Sequence, residues 1–266
     1  MGFFTRRKRT WIALAIILAV ILLSGFFAAL FQSDFFTVRV TDLRDATNTG
    51  TLATDAGVTV NGRVVSGILF VPREASEENP LPAVVLTHGY LNNRELQLQN
   101  AIELARRGFV VLTIDREGHG NYNNSGNTSA LMATNGMYDS AKYLYNLPYV
   151  DQTRVGISGH SMGGYTVASV LAADINTGIV SAGLMQGWST FMGAAADVPV
   201  GNLKARDDEF FYTSTDISGN RTISREYLQS QAAATFVGVD TEGLSEINVE
   251  NGGIYINGVF NVYFRQ

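Results

Sequence analysis

Hydrophobic positions fall along this chain in three kinds of run. The first is Trp11 to Phe31, 21 residues of mostly Ile, Leu, Ala, Val and Phe without one charge. As a helix it is roughly 31 Å long, close to the thickness of a bilayer core. The second kind is a set of short, mainly apolar stretches. Ala83 to Thr87 and Phe109 to Ile114 read as strands buried on both faces, and Arg63 to Pro72 as a strand before them. The third kind has helical spacing. Leu98, Ala101, Ile102 and Ala105 line one face of a helix that Asn92 is expected to cap, with Glu95 completing a capping box and Gly108 ending it.

A polar loop, Asn121 to Ser129, and a helix to about Tyr145 come next. A strand then runs into Gly159-His160-Ser161-Met162-Gly163-Gly164, followed by the helical pattern Tyr165, Val167, Ala168, Leu171. Ile179 to Met185 and Val198 to Ala205 read as two further strands. Alternating strands and helices with buried strands predict an α/β fold, a doubly wound and mainly parallel sheet. In such sheets functional loops lie at the carboxyl ends of the strands, where His88, His119 and Ser161 all fall. Phe36 to Val40 is strand-like, and a Thr/Asn/Gly-rich spacer from Asp45 to Gly57 separates it from the rest. Ser224 to Ala234 is helix-like, and Ile254 to Phe264 reads as a strand or an insertion.

Charge changes the picture at one end. Arg6, Arg7, Lys8 and Arg9 are the only charged residues before Asp34, and the chain after residue 33 carries 15 basic and 24 acidic residues, about −9. The basic cluster predicts a cytoplasmic amino terminus, with everything after the apolar run outside. A cleaved signal peptide is the competing reading, but its apolar region is usually only about 7 to 15 residues. The acidic remainder gives no electrostatic case for nucleic acid. With no cysteine, disulfides and thiolate sites are excluded. No metal site, Gly-rich phosphate loop or cofactor is expected.

Gly-x-Ser-x-Gly at 159 to 163 between a strand and a helix is the pattern of a nucleophile elbow, in which the glycines let two backbones meet and the serine projects from a tight turn. With His-Gly-Tyr at 88 to 90 and Asp-Arg-Glu-Gly-His-Gly at 115 to 120, the chain resembles the α/β-hydrolase superfamily over roughly residues 60 to 210. The resemblance implies that Ser161 is the nucleophile and that the N–H groups of Met162 and Tyr90 form the oxyanion hole. His88, Gly89, Gly159 and Gly163 support them. It implies Asp208, in Asp-Asp-Glu-Phe after a late strand, as the triad acid in preference to Asp207.

The superfamily order is serine, acid, histidine, and the 105 residues after Ser161 contain no histidine. His88 belongs to the oxyanion turn, His160 is expected to point away from the triad, and His119 is a weak substitute base. A sheet without its last strand–helix unit would leave an open edge. The expectation is therefore a chain whose catalytic histidine lies beyond residue 266, and which is inactive alone. The predicted organisation is a basic cytoplasmic tail (1–10), a single-pass transmembrane anchor (11–33), a linker (34–59) and an extracytoplasmic hydrolase domain (60–266). Its partners are a small-molecule or acyl substrate and the membrane, through residues 11–33. Two other readings stay open: a peptidase of the same fold, and a non-catalytic binding module that lacks the histidine.

Overall fold

The computed structural model describes residues 2–33, 38–42, 65–120, 134–188, 198–205, 207–208, 214–216, 218–237, 254–256 and 260–265. The spacer, the polar loop at 121–129 and the anchor–strand junction lie outside the described residues.

The apolar run forms one helix, α1 (Gly2–Ser33). Its stretch Thr10–Ala28 has a mean hydropathy of 2.7 and none of it is buried. By length and composition it can cross a membrane. Val38–Asp42 (β1), Gly67–Pro72 (β2), Leu81–Thr87 (β3), Val110–Ile114 (β4), Val150–His160 (β5), Ala182–Gln186 (β6) and Val200–Ala205 (β7) follow. Between them lie the helices Leu98–Arg106 (α2), Met137–Tyr145 (α3) and Met162–Asp174 (α4). Beyond β7 come the short ribbon Ser214–Thr215 (β8) and Arg221–Thr222 (β9), a 3₁₀ turn at Ser224–Gln229, the helix Gln231–Val237 (α5), and strands Ile254–Ile256 (β10) and Phe260–Arg265 (β11).

Among the described residues one sheet runs in the order β1-β2-β4-β3-β5-β6-β7-β11-β10. Strands β3 to β7 are parallel to one another. β1, β2, β10 and β11 add antiparallel pairs at the two sides. This is the mainly parallel α/β sheet expected. The expected open edge beside β7 is not there, because β11 pairs with it from Phe260↔Ala205 to Arg265↔Val200. An apolar run has no direction in sequence, so the return of this strand antiparallel to β7 was not readable from it.

The mainly apolar strands are central and buried: every residue of β4 is inside, Thr113 included. One core, including Val85, Leu112, Ile157, Leu171 and Met185, lies between the sheet and the side of α3 and α4; a smaller one, including Ile68, Phe70, Leu86 and Ala101, lies under α2. The observed cap lies one residue after the expected one and opens a 3₁₀ turn rather than α2 itself. The turn, Arg94–Gln97, precedes α2, and Asn93 rather than Asn92 is the cap, its side chain accepting from the Glu95 N–H at 3.2 Å. Asn92 instead donates to the Tyr90 carbonyl at 3.0 Å, holding the turn that leaves β3. Gly108 ends the helix with φ +84°.

Candidate active site

The elbow is built by mutual exclusion of side chains. A Cβ on Gly159 would overlap the backbone of Gly163, and one on Gly163 would stand 2.8 Å from the His88 carbonyl oxygen. β5 therefore reaches its carboxyl end in direct contact with the first turn of α4, and both touch the end of β3. Ser161, the residue between, is forced to φ 58° and ψ −117°, a conformation costing about 1–3 kcal/mol for a residue with a side chain. Its N–H donates to Gln186 O at 2.8 Å, and its carbonyl accepts from Gly164 N–H at 2.8 Å to begin the helix. Met162, the first helical residue, has an N–H that the helix itself cannot satisfy.

The His-Gly turn comes alongside. A Cβ on Gly89 would lie 2.9 Å from the Ser161 Cβ and 3.3 Å from its Oγ, so only glycine lets this backbone pass so close to the hydroxyl. Two residues on, Leu91 has φ 57°. The structure thus gathers His88, Gly89, Gly159, Ser161, Met162 and Gly163 at the carboxyl ends of β3 and β5, with Tyr90 following on the exposed side of the turn. The Tyr90 ring meets His119 edge-on at 5.8 Å, and His119 meets His88 at 5.4 Å.

His88 is fully buried. Its Nδ1 donates to Gly89 O at 2.7 Å, and its Nε2 accepts from Arg116 N–H at 3.1 Å. These bonds require the neutral imidazole, and burial pushes the pKa down to about 4. His88 is a brace for the turn. A second brace lies beneath it. The buried Asp115 carboxylate accepts from the Arg94 N–H at 2.9 Å, from Arg94 Nη1 at 3.3 Å and from Ser66 Oγ at 2.8 Å. Gln97 Nε2 donates to Thr87 O at 2.9 Å, tying the same turn to the end of β3.

Asp208 lies just beyond β7, half-buried, two strands along the sheet edge from β5. Its charge opposes the lowering that burial imposes on His160 and on Lys204. His160 is exposed. Among the described residues no histidine hydrogen-bonds to Ser161 Oγ.

Lys204 is the feature that sequence reasoning missed. Asn202 and Lys204 share one face of β7 with Val200, by the two-residue strand period, and both are buried. Asn202 Nδ2 donates to the Tyr227 hydroxyl at 3.0 Å, and Lys204 Nζ lies 5.5 Å from that ring. Two polar residues at i and i+2 on the inward face of a strand were the available signal.

A mainly parallel α/β sheet with a serine on a strained strand–turn–helix junction defines the α/β-hydrolase fold, and this chain has it. Residues 78–201, just under half of the chain, match the family described as serine aminopeptidase, S33. No curated protein matches. Solved structures that resemble it include a hypothetical protein from Pseudomonas aeruginosa, at 20% identity and TM-score 0.44 over 60% of this chain and 47% of that one. Acetyl xylan esterase 1 from Thermoanaerobacterium is 23% identical with TM-score 0.38, covering 48% of this chain and 44% of its own. Dipeptidyl peptidase 4 from Porphyromonas gingivalis is 22% identical with TM-score 0.38, covering 46% and 18% respectively. The chain spans less than half the length of each of the three.

Proposed function

We propose that the protein is a membrane-anchored serine hydrolase that cleaves an ester or another acyl bond through an acyl-enzyme on Ser161. The observation that carries this reading is the conformation of Ser161, held at positive φ between two glycines that exclude side chains, with Gly89 against its hydroxyl. Strain at a residue with no packing role is accounted for by exposure of a nucleophile. Attack on the substrate carbonyl places a negative oxygen beside the first turn of α4. The Met162 and Tyr90 N–H groups act as its donors, each worth about 3 to 4 kcal/mol in the transition state. Asp208 supplies the negative charge at the acid's position.

The fully exposed apolar segment Thr10–Ala28 and the four basic residues before it support an anchor with the hydrolase domain on the extracytoplasmic side. The test is labelling of the detergent-solubilised chain with a fluorophosphonate. The expected outcome is one adduct, on Ser161, absent from Ser161→Ala; no adduct in the folded protein defeats the reading and leaves the non-catalytic binding module. Amide cleavage is the second reading, favoured by the serine aminopeptidase family that residues 78–201 match. Turnover of aminoacyl anilides in preference to simple acyl esters would establish it.

A further inference from the structure

The pairing register aligns His160 with Gln186 across β5 and β6, and Gln186 with Leu203 across β6 and β7. One residue further, Ser161, Gly187 and Lys204 form a row at the carboxyl edge of the sheet. Two strand spacings separate the ends of that row, about 10 Å between Cα atoms. The middle position has no side chain, and its φ of +79° favours glycine there. Lys204 is 1% exposed, and its Nζ donates to Gly187 O at 3.4 Å, so the side chain lies back across β6 toward β5.

We propose that Lys204 is the general base for Ser161, filling the part that a triad histidine plays in the resembling fold. The inference rests on the serine-hydrolase reading. Rotation about the outer torsions of Lys204 carries Nζ off Gly187 O and along the row toward the serine, a closing of distance common when substrate enters. The neutral amine then takes the Oγ proton as Oγ bonds to the acyl carbon. The resulting ammonium returns that proton to the leaving group as its bond to the acyl carbon breaks. Water repeats the cycle: one proton goes to Nζ, the hydroxyl to the acyl carbon, and the proton on Nζ passes to Ser161 Oγ on release.

The surroundings suit this work. Burial lowers the lysine's pKa to about 8, against the pull of the Asp208 charge, which brings deprotonation of the amine down into the mildly alkaline range. Among the described residues the titratable groups facing it are the Asp208 carboxylate beyond β7 and the Tyr227 phenol from the 3₁₀ turn; Gly187, just past β6, contributes a backbone carbonyl. Asp208 then stabilises the ammonium formed in the reaction, as a triad acid stabilises an imidazolium.

The experiment is the rate of fluorophosphonate adduct formation on Ser161 from pH 6 to 10, in the full-length chain and in Lys204→Arg and Lys204→Ala. In the unsubstituted protein the rate rises with an inflection near 8. Lys204→Arg, which keeps the charge but cannot lose it, and Lys204→Ala are each slowed at least about 100-fold, and added alkylamine restores part of the rate in Lys204→Ala. A lysine that only props up Asp208 or the fold gives no amine rescue. Labelling that persists in both variants with the native pH profile overturns the proposal and leaves the serine-hydrolase reading standing; no labelling of the native protein at any pH overturns both. Where a variant does not fold, the native profile decides: an inflection at 6 to 7, in the histidine range, overturns the lysine's role.

Discussion

Single residues fix this site by what they exclude and by what they hold in place. Gly163→Ala sets a methyl group 2.8 Å from the His88 carbonyl and 2.9 Å from the Thr87 side chain, and backbone on one side of that contact cannot yield. It is expected to cost about 1–3 kcal/mol or more, read as a lower urea midpoint, and to abolish Ser161 labelling. Gly159, Ser161 and Gly163 were legible in sequence because their steric demands are written in five consecutive residues. The Arg94–Asp115 pair was not, since only the fold brings residues 21 apart together inside the protein. Arg94→Met removes one charge-assisted hydrogen bond from the buried Asp115 carboxylate, which keeps those from Ser66 Oγ and the backbone N–H of residue 94; a loss of about 1.5–3 kcal/mol is expected in chemical denaturation. Two other buried groups set the acid response. His88 has its pKa lowered to about 4 in the fold, so the unfolded chain takes up its proton first and stability falls as pH drops from 6.5 to 4. Asp139 has its pKa raised to about 6 by burial, so the folded protein binds that proton first and stability rises as pH drops from 6 to 3.8. The two offset in the native protein. Relative to it, His88→Gln gains stability on acidification and Asp139→Asn loses it, a contrast that urea midpoints at pH 4, 5 and 6.5 will show.

At the scale of elements, strands announced themselves where burial on both faces left a single threonine as the only polar position, Thr87 in β3 and Thr113 in β4. β3 and β4 follow their apolar runs to within two residues for that reason. Helix α4 was legible through its elbow, and α2 through its apolar stripe, although which of two adjacent asparagines caps the turn leading into it depends on backbone angles that the sequence does not state. The direction of a strand is equally silent in sequence. β2 and β11 run against the parallel centre while β1 and β10 run with it, and their pairing could be known only from the assembled sheet. Lys204 follows from the same limit: a lysine in a strand reads as solvated until the register shows which face it shares with Val200 and Asn202.

For the molecule as a whole, α1 stands apart from the two cores. Its residues from Thr10 to Ala28 are unburied, and none of them belongs to either core. Removing residues 2–33 is expected to leave the thermal denaturation midpoint of the remaining chain within about 2 °C and to end its requirement for detergent; a drop of 10 °C or more would show that the helix packs on the domain instead. The sheet's outer strand has a different consequence, in time rather than in stability. Phe260 pairs with Ala205 across 54 intervening residues, whereas β3 and β4 are joined by a short helical crossover. Closing the larger loop carries the greater entropic cost before any contact rewards it. β11 should therefore dock late, on a sheet whose centre has already formed. Its amides should gain protection last in pulsed hydrogen exchange, after those of β3, β4 and β5, so a newly made chain passes through an interval in which the strand bearing Lys204 is still an unpaired edge.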